Sequence, residues 1–317
     1  MGLDRAPFFP VISGEPEAEA YWTLATDGVR LRVAAWQSND AAGKTKGTVL
    51  LFPGRTEYIE KYAEIAGRFA DLGLATFSID WRGQGLADRL TGNVMSGHVV
   101  NFQDYQLDVA AMLRSAKALN LPEPYFLMGH SMGGCIGLRA LYDGLPVQAA
   151  AFTGPMWDIG LNKVLRPIAV LLSGIASLLG IGHWLAPGTK HETYVLDTAF
   201  EDNQLTKDRD MYARLQSHAR AQPQLMIGGP TMRWLSQALR ECSDLRRHPA
   251  PQIPCLTFLG TDENIVCPGA ITSRMTSWED GTLDMVPAGE HEVLMDNPTI
   301  RGDVTRKIAA LFLAPRS

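Results

Sequence analysis

Ser131 stands in Gly129-His130-Ser131-Met132-Gly133-Gly134, between an apolar run at 125–128 and a helix-like segment at 135–142. The run has the length and character of a buried strand. A strand that turns sharply into a helix holds its turn residue outward at the carboxyl edge of a sheet. A Cβ at 129 or 133 would crowd that bend, and glycine avoids the crowding. The following helix begins with unpaired N–H groups and a partial positive charge. The N–H of Met132 therefore points to where an oxyanion would form. This is the arrangement of a nucleophile elbow.

A serine hydroxyl is a poor nucleophile near neutral pH. It needs a base, and the base needs an orienting acid. In sheets with this elbow the acid and then the histidine follow the serine along the chain. His291 lies in Pro287-Ala288-Gly289-Glu290-His291-Glu292, between the last apolar strand and the last helix, and is the candidate general base. His130, next to the serine, would point elsewhere. The acid falls in Gly260-Thr261-Asp262-Glu263-Asn264-Ile265-Val266-Cys267-Pro268, where Glu263 and Asp262 both qualify. Either carboxylate would fix the His291 tautomer and stabilise the imidazolium. The second oxyanion donor should come from the loop after the first buried strand. In Phe52-Pro53-Gly54-Arg55 the backbone N–H of Arg55 is the candidate. The Arg55 side chain is left for a separate contact, with Glu57 or with substrate.

These residues must be positioned by alternating elements. Asp27-Gly28 between segments 21–26 and 29–37 predicts an antiparallel hairpin at a sheet edge. Strand patterns recur at 48–52, 74–79, 149–152, 255–259 and 282–286, and helix patterns at 59–72, 102–119, 269–278 and 297–313. Gly73 would cap the helix before it, and Pro298 sits at the first turn of the last. Strand and helix in alternation predict an α/β fold with a mostly parallel central sheet covered on both faces. Sites in such sheets gather at the carboxyl ends of the strands. Between 156 and 248 the alternation stops and only helix-like pieces appear, at 163–185, 207–220 and 231–240. The expected organisation is a core of residues 1–155 and 249–317 around a helical lid at 156–248.

Residues 167–187 of that lid hold no Asp, Glu, Lys or Arg. The length would span a bilayer. Gly174, Gly180 and Gly182 interrupt it, and spanning would split one sheet across the membrane. A lid helix that faces an acyl chain or rests on a membrane surface is the better expectation.

Composition bounds the rest. The 317 residues are 46% hydrophobic and 20% charged, in the range of a soluble globular protein. A net charge of −5 without a basic run gives no footprint for nucleic acid. The four cysteines show no metal-ligand spacing, and residues 1–7 lack the order of a signal peptide. A cytoplasmic location, with peripheral membrane contact through the lid, is the simplest expectation. His191-Glu192 and His291-Glu292 each begin like a zinc-protease signature, but no second histidine follows at helical spacing. Neither a metal nor a cofactor is expected.

The chain resembles the α/β-hydrolases of the group that holds monoacylglycerol lipases and lysophospholipases of the L2 type, over nearly its whole length. Gly129–134 matches the elbow. Asp80-Trp81-Arg82-Gly83-Gln84-Gly85 matches the family's Asp-x-Arg-Gly-x-Gly loop, which is structural. Gly97-His98-Val99 and Asn203-Gln204-Leu205-Thr206-Lys207-Asp208 also look like family segments. Related acid loops often read Asp-x-Ile-Val-x-Pro, and here Glu263 holds the acid's place with Asp262 one residue early. Many members open the oxyanion loop with His-Gly; the Pro53-Gly54 of this chain is the form of the L2-like members. A serine is usual where Ala87 stands. The resemblance implies an α/β-hydrolase fold and a serine hydrolase of carboxylic esters, with a single-chain lipid or another small-molecule ester as substrate. An acyltransferase or thioesterase could use the same acyl-enzyme, and a binding module could keep the fold without turnover. Dehalogenases and epoxide hydrolases of this architecture use Asp where Ser131 stands.

Overall fold

The computed structural model describes residues 3–11, 15–39, 45–161, 172–174, 176 and 180–315. Its frame is one eight-stranded sheet in the order β1-β2-β4-β3-β5-β6-β7-β8. The strands are β1 (Glu19–Leu24), β2 (Arg30–Trp36), β3 (Thr48–Phe52), β4 (Ala75–Asp80), β5 (Tyr125–His130), β6 (Ala150–Thr153), β7 (Cys255–Gly260) and β8 (Gly281–Val286). β2 runs against both β1 and β4, and every other pair is parallel. The hairpin foreseen at Asp27-Gly28 is the β1–β2 edge, with Gly28 at φ 86°.

Parallel strands need crossovers, and helices supply them. They are α1 (Ala63–Asp71), α2 (Tyr105–Ala118), α3 (Met132–Tyr142), α4 (Arg209–Ala221), α5 (Met232–Leu245), α6 (Pro268–Thr276) and α7 (Pro298–Leu313). Strand side chains alternate between two cores. Leu50, Phe52, Leu127 and Phe152 pack with residues of α2, α3 and α6 on one face. Val49, Leu51, Phe126 and Met128 pack with Ile65 and Phe69 of α1 and with Ile308 and Phe312 of α7 on the other. The helix pattern at 59–72 resolves into a 3-10 turn, Ile59–Tyr62, and then α1.

Between β6 and β7 the described residues form α4, α5 and short helical turns, and no strand. Much of the helix expected at 163–185, and with it the uncharged stretch 167–187, lies outside the described residues. Those described are helical at 172–174 and 176 and non-helical from 180 onward. Thr231 caps α5 through Trp234 N–H, and Asp208 caps α4 through Met211 N–H. The span is fastened to the core through Gly97, whose N–H donates to Gly229 O (3.0 Å) and whose carbonyl accepts from Thr231 N–H (2.8 Å). Asn203 folds its own loop by accepting the N–H groups of Leu205 and Thr206. Among the described residues no helix is long and apolar enough to cross a membrane. All four cysteines are free thiols.

Candidate active site

Ser131 is the hinge residue between β5 and α3, at φ 49°, ψ −117°, a region non-glycine residues rarely occupy. Its backbone is held on both sides. Its N–H donates to Thr153 O at 3.1 Å, and its carbonyl accepts from Gly134 N–H (2.9 Å) and Met156 N–H (2.8 Å). The side chain opens onto a cavity of about 410 Å³. Gly133 lets the start of α3 press against the loop after β3: a Cβ there would sit 2.0 Å from Phe52 O. The backbone N–H groups of Met132 and Arg55 have no acceptor among the described residues. Neither N–H is consumed by the fold, which is what a candidate oxyanion donor requires.

The loop that carries Arg55 is propped from β4. Trp81 Nε1 donates to Pro53 O (2.9 Å), Gln84 Nε2 donates to Gly54 O (3.0 Å), and Gln84 Oε1 accepts from Thr56 N–H (3.2 Å). The Asp80–Gly85 segment is therefore a buttress for the candidate oxyanion loop. Asp80 anchors the buttress by accepting from Arg32 Nε (2.8 Å), Ile59 N–H (2.9 Å) and Leu86 N–H (2.8 Å). The Arg55 side chain turns away from Glu57. Its Nη1 donates to Gly228 O at 2.9 Å, and the guanidinium lies 5.5 Å from the Trp234 ring centre. Burial pulls its pKa down to about 10. No carboxylate is paired with it among the described residues, and it lines the same cavity as Ser131.

His291 sits in the loop after β8 and lines that cavity too. Its Nδ1 donates to Glu263 Oε2 at 2.7 Å. The other Glu263 oxygen accepts the N–H groups of Ile265 (2.7 Å) and Val266 (3.1 Å), so the carboxylate cannot swing. Burial works against the charge of Glu263, but the hydrogen bond and attraction of His291 outweigh it, and its pKa falls below the ordinary value. Gly154, at φ 47°, passes behind the pair, where a Cβ would lie 3.1 Å from His291 Nδ1. Asp262 is exposed and pairs with Lys207, so of the two candidate acids Glu263 alone meets His291. His130 is buried and turned inward, with Nδ1 2.9 Å from Thr153 Oγ1. Ser131 and His291 line the same cavity, and no direct hydrogen bond joins them in this structure.

Sequence reasoning missed one group. Glu57, Lys61 and Glu292 are all buried and bonded together beside the site, with Lys61 Nζ 2.5 Å from Glu57 and 2.6 Å from Glu292. The signal available was the i,i+4 spacing of Glu57 and Lys61, which by itself reads as an exposed helix pair. Apolar side chains close the cavity, among them Met156, Ile159, Leu215, Met226, Trp234 and Leu235.

The sequence profile of the Hydrolase_4 family, described as serine aminopeptidase, S33, matches residues 43–298. Lysophospholipase L2 of Escherichia coli K12 is 26% identical over 281 residues, spanning 83% of this chain and 79% of that protein. Phospholipase YtpA of Bacillus subtilis is 30% identical over 228 residues, spanning 71% of this chain and 79% of that one. A crystal structure of a soluble variant of the Saccharomyces cerevisiae monoglyceride lipase superposes with a TM-score of 0.74 at 18% identity, covering 97% of this chain and 98% of that one.

Proposed function

We propose that the chain, a member of the Hydrolase_4 (serine aminopeptidase, S33) family of α/β-hydrolases and a carboxylic-ester hydrolase like its lysophospholipase and phospholipase relatives, cleaves single-acyl-chain lipids through an acyl-enzyme on Ser131. The observation that carries this reading is that Ser131 and His291 open onto one apolar-walled cavity while Glu263 holds Nδ1 of His291 from behind. With Nδ1 engaged, Nε2 is the nitrogen left to take the serine proton.

His291 removes the proton from Ser131 Oγ as the oxygen attacks the ester carbonyl. The N–H groups of Met132 and Arg55 hold the resulting oxyanion, and such a donor typically contributes about 3–4 kcal/mol in the transition state. The imidazolium passes the proton to the departing alcohol, leaving the acyl group on Ser131. Water then attacks the acyl-enzyme with His291 again as base, and free fatty acid and serine are released.

Residues 156–248 serve as the lid. Ala186, Leu215, Met226, Trp234 and Leu235 from this span give the cavity its apolar roof, which suits an acyl chain. Trp184 and Leu172 of the same span are exposed and supply apolar contacts for a lipid surface. The relatives named for lysophospholipids and phospholipids, and the guanidinium of Arg55, which lines the cavity with no carboxylate paired to it among the described residues, favour a head group that carries phosphate. A panel of lysophospholipids, monoacylglycerols and short p-nitrophenyl esters, run with wild type and Ser131→Ala, tests the proposal. Turnover of lysophospholipids lost in Ser131→Ala supports it, and unchanged turnover in that variant overturns it.

A further inference from the structure

The buried group beside the site joins two loops that the proposed mechanism needs in register. Glu57 Oε2 accepts from the backbone N–H of Gly54 and from the Tyr62 hydroxyl (2.5 Å). Its Oε1 accepts from Lys61 Nζ at 2.5 Å, and the same ammonium lies 2.6 Å from Glu292 Oε2. Gly54 directly precedes Arg55, whose N–H is a proposed oxyanion donor. Glu292 directly follows His291. A run of hydrogen bonds thus passes from Gly54 of the oxyanion loop through Glu57 and Lys61 to Glu292, the chain neighbour of the base. Its two ends are 238 residues apart in the chain, from Gly54 to Glu292 (292 − 54).

The charges are placed for this role. Ligand atoms of Glu57, His130 and Glu292 lie within 4.8 Å of one another, a spacing that calls for a cation, and the Lys61 ammonium bonds both carboxylates. His130 lies 3.6 Å from Glu57, and its ring centre is 5.0 Å from that of His291. Burial lowers the pKa of His130 despite the opposing pull of Glu57, which favours its neutral form. Two carboxylates against one ammonium leave a net negative charge next to His291, well placed when the imidazole gains a proton.

We infer that Lys61, with Glu57 and Glu292, is a positioning residue: it clasps the loop of Arg55 to the loop of His291, so that oxyanion donor and base address one carbonyl. The inference rests on the triad reading above, and its test separates the two. Glu292→Leu cuts the clasp but leaves the Glu57–Lys61 pair charge-balanced. Glu292→Gln keeps an oxygen that can accept from Lys61. Lys61→Met is the parallel variant. In steady-state hydrolysis of p-nitrophenyl butyrate, kcat of Glu292→Leu should fall about 10²-fold with KM within about threefold, the scale of a lost oxyanion donor. Glu292→Gln should regain most of the loss, and all variants should retain the wild-type circular-dichroism spectrum. A kcat for Glu292→Leu within about threefold of wild type, or a loss in KM equal to that in kcat, overturns the clasp. If Lys61→Met does not fold, the two Glu292 variants decide alone. Wild-type protein that fails to react with a fluorophosphonate at Ser131 would instead remove the triad reading on which the clasp rests.

Discussion

Glu263 Oε2 lies 2.7 Å from His291 Nδ1, and two backbone N–H groups hold the other oxygen of the same carboxylate. The carboxylate is thus held in place against the imidazole. Asp262, its neighbour, points into solvent toward Lys207. Glu263→Gln should therefore lower kcat on p-nitrophenyl esters by about 10³-fold or more, in line with loss of a triad acid. Asp262→Asn should leave it within about twofold, since exposed pairs contribute little. Rates measured side by side check this, and a larger loss in Asp262→Asn would reverse the assignment.

Arg55 has two separable parts. Its N–H is a proposed oxyanion donor that every substrate would use, while its guanidinium lines the cavity without a carboxylate partner among the described residues. Arg55→Gln keeps the N–H and removes the charge. Its kcat/KM should fall about tenfold or more for lysophospholipids and stay within about threefold for monoacylglycerols, the difference being one charge-assisted contact. An equal fall for both classes would remove the guanidinium from head-group recognition.

His218 of α4 packs against the core, with Nδ1 2.8 Å from the Tyr58 hydroxyl and Nε2 3.2 Å from Phe9 O. Burial, aided by repulsion from Arg214 and Arg32, holds its pKa down to about 4. The unfolded chain takes up this proton near pH 6.5, and the folded chain does not until about pH 4. Stability from this residue is therefore present above pH 6.5 and is lost as pH falls toward 4. Melting temperatures compared at pH 7.5 and pH 5 should drop less in His218→Gln than in wild type, by roughly 2–5 °C. Identical drops would contradict the assignment.

Much of the site was legible because its signals are local. The elbow needs an apolar strand, two glycines and a helix, all within residues 125–142, and the structure places β5, Ser131 and α3 there. The Glu263 loop carried its register in Ile265-Val266-Cys267-Pro268, though only the fold shows Asp262 turned to Lys207. Glu57, Lys61 and Glu292 were not legible. A charged pair four residues apart looks like a solvated helix face, and the second carboxylate that meets buried Lys61, Glu292, comes from more than 200 positions away. The buttress was half legible: the glycines of residues 80–85 marked a turn, but the bonds of Trp81 and Gln84 to the oxyanion loop are tertiary.

The central claim is that Ser131 is a nucleophile activated by His291. The most direct measurement is intact-mass and peptide mass spectrometry after a fluorophosphonate is added to wild type, Ser131→Ala and His291→Ala. The expected result is one phosphonyl adduct on the peptide bearing Ser131 in wild type, none in Ser131→Ala, and labelling slowed at least about 10³-fold in His291→Ala. An unlabelled wild type, an adduct on another residue, or labelling of His291→Ala at the wild-type rate would contradict it.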